Sequence, residues 1–216
     1  MKIISIIILF FYHIESFNIC IVGGSSGLGK ELITQSLEKN YHVLALTNDP
    51  KKIVYPYRDG GLSNKNTDDL IINENLVIDT YNNYNNYNNY NNYNFTNLIF
   101  TTNAGPFQND YSDILTSFIL DNKIQNLKNI ILISAYGAGK SLYNANLGIK
   151  IMNNWYLKDV YRAKNSQEIL IDKYCKKNCI KKTILRPKVL SYGVNLYAAK
   201  SREKFAEEIL NNYILD

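Results

Sequence analysis

The stretch that most constrains this chain is Ile19-Cys20-Ile21-Val22-Gly23-Gly24-Ser25-Ser26-Gly27-Leu28-Gly29-Lys30. An apolar run suited to a buried strand stops at a glycine, a glycine-rich turn follows, and a helical pattern begins. A nucleotide diphosphate needs that order. Gly23 permits the tight exit from the strand. Gly27 lets backbone approach a phosphate, and Gly29 lets the new helix lie close on the sheet. The helix N-terminus then presents unpaired N–H groups and a partial positive charge to the anion. The spacing is G-x-x-x-G-x-G, not the commoner G-x-G-x-x-G, so the reading leans on the strand before it and the helix after it. A ligand-free glycine turn is the competing account, but these glycines cost backbone entropy that a plain turn need not spend.

The rest of the chain alternates strands with helices. Leu28, Leu32, Ile33 and Leu37 recur at helical spacing. Residues 43–46, 76–79, 97–101, 129–134 and 183–185 read as further strands, the last ended by Pro187. Ile114, Leu115, Phe118 and Ile119 mark one apolar helix face. Residues 152–174 read as a long helix, and Phe205, Ile209 and Leu210 mark a final one. Runs such as Ile130-Ile131-Leu132-Ile133 suit a sheet covered on both faces. The expectation is an α/β fold with a doubly wound parallel sheet in a single domain, which 216 residues can supply.

Two segments stand apart. Residues 1–16 form an apolar N-terminal segment, too short for an ordinary spanning helix. It reads either as a signal-peptide core or as an extension packed on the body. The domain proper is 17–216. Within it, residues 81–94 are a low-complexity insert in which tyrosine recurs at 81, 84, 87, 90 and 93 between asparagine pairs. Spaced aromatics can stack on bases, but no positive charge is interleaved here. A formal charge of +5 fits an anionic small-molecule cofactor and is too diffuse for nucleic acid. Cys20, Cys175 and Cys179 form neither a zinc set nor a disulfide framework. No metal site and no stable membrane span are expected. The compartment is cytoplasmic by default, against which stands the signal-like start, and the oligomeric state is not readable.

In a doubly wound sheet, ligands lie outside the C-terminal ends of the strands. The polar residues there are Asn48 and Asp49, Asp79, Asn103-Ala104-Gly105, Ser134 with Tyr136, and Arg186-Pro187. In its motifs the chain resembles a short-chain dehydrogenase/reductase, nearest the atypical, NmrA-like branch. Residues 22–29 resemble the family's glycine motif, with Val22 in place of the usual threonine. Thr102-Asn103-Ala104-Gly105 resembles its Asn-Asn-Ala-Gly motif, and Thr183-Ile184-Leu185-Arg186-Pro187 resembles the atypical branch's strand-six ending. The match covers residues 18–200 without the insert.

The resemblance implies a Rossmann-like nicotinamide-nucleotide site. Gly23, Ser25, Ser26, Gly27 and Leu28 would line the pyrophosphate. Asp79 would lie near the adenine, and Asn103, Ala104 and Gly105 would border the adenosine ribose. Arg186, Pro187 and Val189 would approach the nicotinamide. Asn48 stands where NADP-binding relatives often carry arginine, and Lys51 and Lys52 can pair with a 2′-phosphate, so NADP is favoured over NAD. Asp49 can instead bond a ribose hydroxyl or cap a turn.

The family's catalytic set is a serine, a tyrosine acting as acid/base, and a lysine four residues later. Ser134 and Lys164 fill two places, but Val160 precedes the lysine by four, and Tyr161 precedes it by three. Tyr161 is therefore the candidate donor, on the same helix face as Lys164. Tyr136 is another candidate. The bland alternative is a packed tyrosine beside a surface ion pair of Lys164 and Glu168. The expected function is an NAD(P)H-dependent oxidoreductase acting on a small organic substrate. The alternative is a non-catalytic NAD(P)-binding regulatory or partner-binding protein that keeps the cradle and has lost the proton donor.

Overall fold

A computed structural model describes residues 16–56, 69–81, 94–102, 112–121, 124, 126–188, 190–191 and 200–215. Its centre is a six-stranded, wholly parallel sheet of order β3-β2-β1-β4-β5-β6. The strands are β1 (Ser16–Val22), β2 (Val43–Thr47), β3 (Leu76–Thr80), β4 (Asn94–Phe100), β5 (Asn129–Ile133) and β6 (Lys181–Leu185). The order reverses between β1 and β4, which sets the crevice of a doubly wound sheet at the end of β1.

Alternation along the buried strands divides the core into two layers. Ile19, Ile21, Val43, Ala45, Ile99 and Ile131 face α1 (Gly27–Glu38) and α5 (Arg202–Asn212). Cys20, Val22, Leu44, Leu46, Leu98, Phe100, Ile130 and Leu132 face α2 (Ser112–Asp121) and α4 (Lys158–Asn178). The remaining elements are α3 (Leu147–Ile151), a π-helical turn at Met152–Tyr156, and a short parallel ladder of β7 (Leu190–Ser191) with β8 (Lys200–Ser201).

Several boundaries differ from the sequence reading. β4 ends at Phe100, one residue early, and the Thr101 hydroxyl bonds the end of β1 and the glycine turn. The long helix starts at Lys158 rather than 152 and runs on to Asn178, where Cys179 caps it in a left-handed conformation (φ 55°). Cys175 is buried and its thiol is pushed up to about 11 by desolvation, whereas Cys179 is exposed, and both are free. Ile114 is not part of the buried face of α2; Leu115, Ile119 and Leu120 supply it. β6 is an edge strand whose exposed Lys181 and Lys182 discourage pairing with another chain. Residues 82–93 of the tyrosine–asparagine insert and residues 1–15 lie outside the described residues.

The N-terminal edge of the sheet is closed by two buried asparagines. Asn97 Nδ2 donates to the carbonyls of Asn18 (3.1 Å) and Leu215 (2.7 Å), while its Oδ1 accepts from Leu215 N (3.0 Å) and Asn129 Nδ2 (3.1 Å). Asn129 also donates to Tyr213 O at 2.7 Å. This ties the C-terminal tail to the edge opposite the glycine turn, so that each end of the sheet has a separate task.

Candidate nucleotide-binding site

The glycine turn is held shut from below. Gly23 N and Gly24 N donate to the Leu46 carbonyl at 2.9 and 3.1 Å, carrying the chain across from β1 to the end of β2. Gly23 has φ +86°, and a Cβ there would stand 2.9 Å from Thr101 Oγ1 and 3.0 Å from Thr102 N. The Thr101 hydroxyl lies 2.9 Å from both the Val22 and Gly23 carbonyls, to which it donates, and it accepts from the Ser26 hydroxyl at 3.1 Å. Ser26 is the N-cap of α1, its Oγ accepting from Gly29 N at 2.9 Å. A Cβ at Gly29 would lie 2.4 Å from the Gly23 carbonyl oxygen, so the helix can start this close only on glycine.

Above the turn opens a cavity of about 560 Å³. It runs from Ser26, Gly27 and Leu28 at the start of α1, past Thr101, to Ser134 and Pro187 just after β5 and β6 and to Tyr161 and Lys164 on α4. In the first turn of α1, Gly29 N bonds Ser26 Oγ and Lys30 N bonds the Ser26 carbonyl, while Gly27 and Leu28 come before any intrahelical acceptor, and the helix dipole adds positive potential at this mouth. Gly23 and Ser25 belong to the turn beneath rather than to the wall. Asn48 is exposed just past β2. Asp79 is half-buried in β3, where its Oδ1 accepts from Thr80 N at 2.7 Å. Asn103, Ala104, Gly105 and Val189 lie outside the described residues.

Toward β5 and β6 the side chains are engaged with one another. The Ser134 hydroxyl donates to Glu168 Oε1 at 2.7 Å. Arg186 grips the same carboxylate with two bonds, Nε to Oε1 at 2.9 Å and Nη2 to Oε2 at 2.7 Å. Gly139 (φ +51°) passes directly over that carboxylate, leaving no room for a Cβ. Lys164 is only 1 % exposed. Its ammonium donates to the carbonyls of Thr102 and Ile133 and to Gln167 Oε1, stapling the end of β4 to the end of β5. The Lys164–Glu168 surface ion pair considered from the sequence is therefore replaced by two separate buried sets. Tyr161 OH donates to the Tyr136 carbonyl at 3.0 Å, and burial raises its pKa above the ordinary phenol value. At neutral pH that phenol holds its proton.

At the other end of the crevice, Asp49 caps a 3₁₀ turn (Pro50–Lys52): its Oδ1 accepts from Lys51 N at 3.2 Å and its Oδ2 pairs with Lys52 at 3.3 Å. Lys30, in the first turn of α1, has its pKa lowered by partial burial and then by the charge of Lys52. The positive charge of Lys52, itself paired with Asp49, is thus felt at Lys30.

No family model matches the sequence, and no curated protein matches it. Solved structures do. An Escherichia coli O157:H7 protein, ChuY, described as an anaerobillin reductase, is 14 % identical, with a TM-score of 0.60 over 90 % of this chain and 89 % of its own. The oxidoreductase ylbE of Lactococcus lactis is 15 % identical, with a TM-score of 0.62 over 90 % of this chain and 83 % of its own. A Thermotoga maritima UDP-glucose 4-epimerase is 16 % identical, with a TM-score of 0.56 over 90 % of this chain and 63 % of its own. The fold is Rossmann-like. It is the fold implied by the resemblance to atypical short-chain dehydrogenase/reductases.

Within this Rossmann cleft, sequence reasoning missed three contributors. Thr101 clamps the glycine turn, yet a threonine after a strand carries no distinctive spacing. Glu168 gathers Ser134 and Arg186 from positions 34 and 18 residues away. Lys30 was read only as the last residue of the motif. That it feels the charge of Lys52 depends on how α1 lies against the end of β2.

Proposed function

We propose that this protein is an NADPH-dependent oxidoreductase of the atypical short-chain dehydrogenase/reductase type, acting on a small organic carbonyl or related acceptor. The observation that carries the reading is one continuous cavity. It starts at the amide-rich N-terminus of α1 and ends among Ser134, Tyr161 and Lys164, on the C-terminal edge of a parallel sheet. Its structural neighbours include a reductase, an oxidoreductase and an epimerase, which supports a nicotinamide cofactor in general terms. A bound nicotinamide supplies hydride; the chain's own part is to bind, to orient and to deliver a proton. NADPH is preferred over NADH in this reading because Asp49 is spent on its turn, while a 2′-phosphate relieves the repulsion between Lys30 and Lys52.

Tyr161 is the proton donor in this reading. Its phenol lines the cavity, is protonated at neutral pH, and needs only to turn from the Tyr136 carbonyl toward a substrate oxygen. The Ser134 hydroxyl donates to Glu168, and in this reading it turns that proton to the substrate oxygen. Arg186 and Glu168 hold that serine in place.

The second reading, a nucleotide-binding protein without turnover, draws on the same network. The ammonium of Lys164 is engaged by three protein acceptors, and the Ser134 and Tyr161 protons by one each. Titration with NADPH and NADH, followed by nicotinamide fluorescence, tests the shared premise; binding of neither removes both readings. Single-turnover oxidation of bound NADPH against carbonyl, quinone and flavin acceptors separates them. Tyr161→Phe is expected to cut turnover by about a hundredfold while leaving NADPH affinity within about twofold; unchanged turnover takes Tyr161 out of the donor role.

A further inference from the structure

The segment between the end of β5 and the start of α4 exposes a run of large apolar side chains. Tyr143, Leu147, Ile151 and Trp155 are 85, 73, 53 and 85 % exposed. They recur at intervals of four residues. Leu147 and Ile151 fall one turn apart on the same face of α3, and Trp155 follows in the π-helical turn. Tyr156, next to Trp155, is half-exposed in the same segment, and the other exposed large hydrophobics among the described residues lie elsewhere: Leu70 and Ile72 before β3, Ile114 on α2 and Ile169 on α4. Isolated cases of that kind need no explanation; a periodic run with tryptophan and tyrosine does.

Its charge is one-sided. Lys140, Lys150 and Lys158 are all exposed along the same segment. No carboxylate side chain occurs between Asp121 and Asp159. We propose that this face docks on an anionic lipid bilayer surface. Tryptophan and tyrosine present an apolar ring and a polar tip, which suits the boundary between headgroups and acyl chains. Lysines flanking an apolar stripe bury their stems and leave the ammonium groups at the headgroups, where anionic lipid attracts them. No helix among the described residues is long and apolar enough to cross a membrane, so the contact is interfacial. A second copy of the chain is a poorer occupant. A two-fold contact through this face would bring the lysines of both copies into one interface with no carboxylate from the segment to answer them. The same segment supplies Ile149 and Leu157 to the cavity wall, so docking sets that wall beside the lipid.

Trp155 is the chain's single tryptophan, so its emission reports on this face directly. The full chain is titrated with vesicles of phosphatidylcholine alone and of phosphatidylcholine mixed with phosphatidylserine. The expected result is a blue shift and co-sedimentation with the anionic vesicles, both weakened by salt. The double variant Leu147→Asp/Ile151→Asp, its fold checked by circular dichroism, is expected to bind at least about tenfold more weakly. Replacing the three lysines by glutamate should abolish the preference for anionic vesicles. No shift with either vesicle overturns the proposal. So does binding that survives the double variant, which places the contact elsewhere. A concentration-dependent dimer that the double variant disperses, with no vesicle binding, assigns the face to a second copy and also overturns it.

Discussion

The two halves of the cavity are built from different materials. At the start of α1 the donors are backbone N–H groups, and side chains such as Ser26 and Thr101 serve only to hold the backbone in shape. Toward β5 and β6 the wall is made of side chains, and their hydrogen-bonding capacity is already committed within the protein. On the proposed reading the first half can take an anion as it stands, whereas the second half must release some of its bonds before Ser134 or Tyr161 can serve a substrate. A cradle made of backbone survives much change in side chains; a set of committed side chains does not.

The largest effect should come from breaking the second half. Glu168 is 7 % exposed and accepts from both Ser134 and Arg186. Glu168→Ala leaves a half-buried guanidinium without its carboxylate and is expected to cost about 3 kcal/mol of stability, read from the denaturant midpoint. NADPH affinity should stay within about twofold, because the glycine turn shares no partner with this network. An equal collapse of affinity would show that the two halves are one unit. Gly29→Ala makes the converse cut. Its Cβ would meet the Gly23 carbonyl at 2.4 Å, forcing the turn and α1 apart. The expected cost is about 2 kcal/mol, joined by a loss of NADPH affinity of at least about tenfold in the same titration.

The same division explains what could be read from the chain in advance. The alternation of strands and helices, the covering of the sheet on both faces and the glycine turn rest on local signals. Ile19 to Val22 followed by glycines can be read without knowing anything else, and so can the apolar spacing of Leu28, Leu32, Ile33 and Leu37. The back half rests on meetings between distant residues. That Glu168 reaches Arg186 and Ser134 rather than Lys164 depends on how α4 lies on the sheet, and spacing along a helix cannot tell that. The buried asparagines at the opposite edge make the same point. Asn97 is fully satisfied by groups 32, 79 and 118 residues away. In sequence it reads only as the polar start of a strand.

The smallest effect sharpens the front half. If a 2′-phosphate sits between Lys30 and Lys52, Lys30→Met should weaken NADPH by about fivefold, worth about 1 kcal/mol for a half-exposed charged contact, and leave NADH unchanged. The pH dependence has a definite sign. Burial and the Lys52 charge lower the Lys30 pKa from 10.5, so in the free protein this ammonium discharges earlier than an ordinary lysine as the solution turns alkaline. A phosphate favours the charged form, so NADPH affinity should fall as pH rises through that lowered pKa, while NADH affinity stays flat. Lys30→Arg keeps its charge throughout and should remove the fall. Parallel NADPH and NADH titrations across alkaline pH check all three statements; identical curves for the two nucleotides would take Lys30 out of the phosphate contact and leave the backbone cradle untouched.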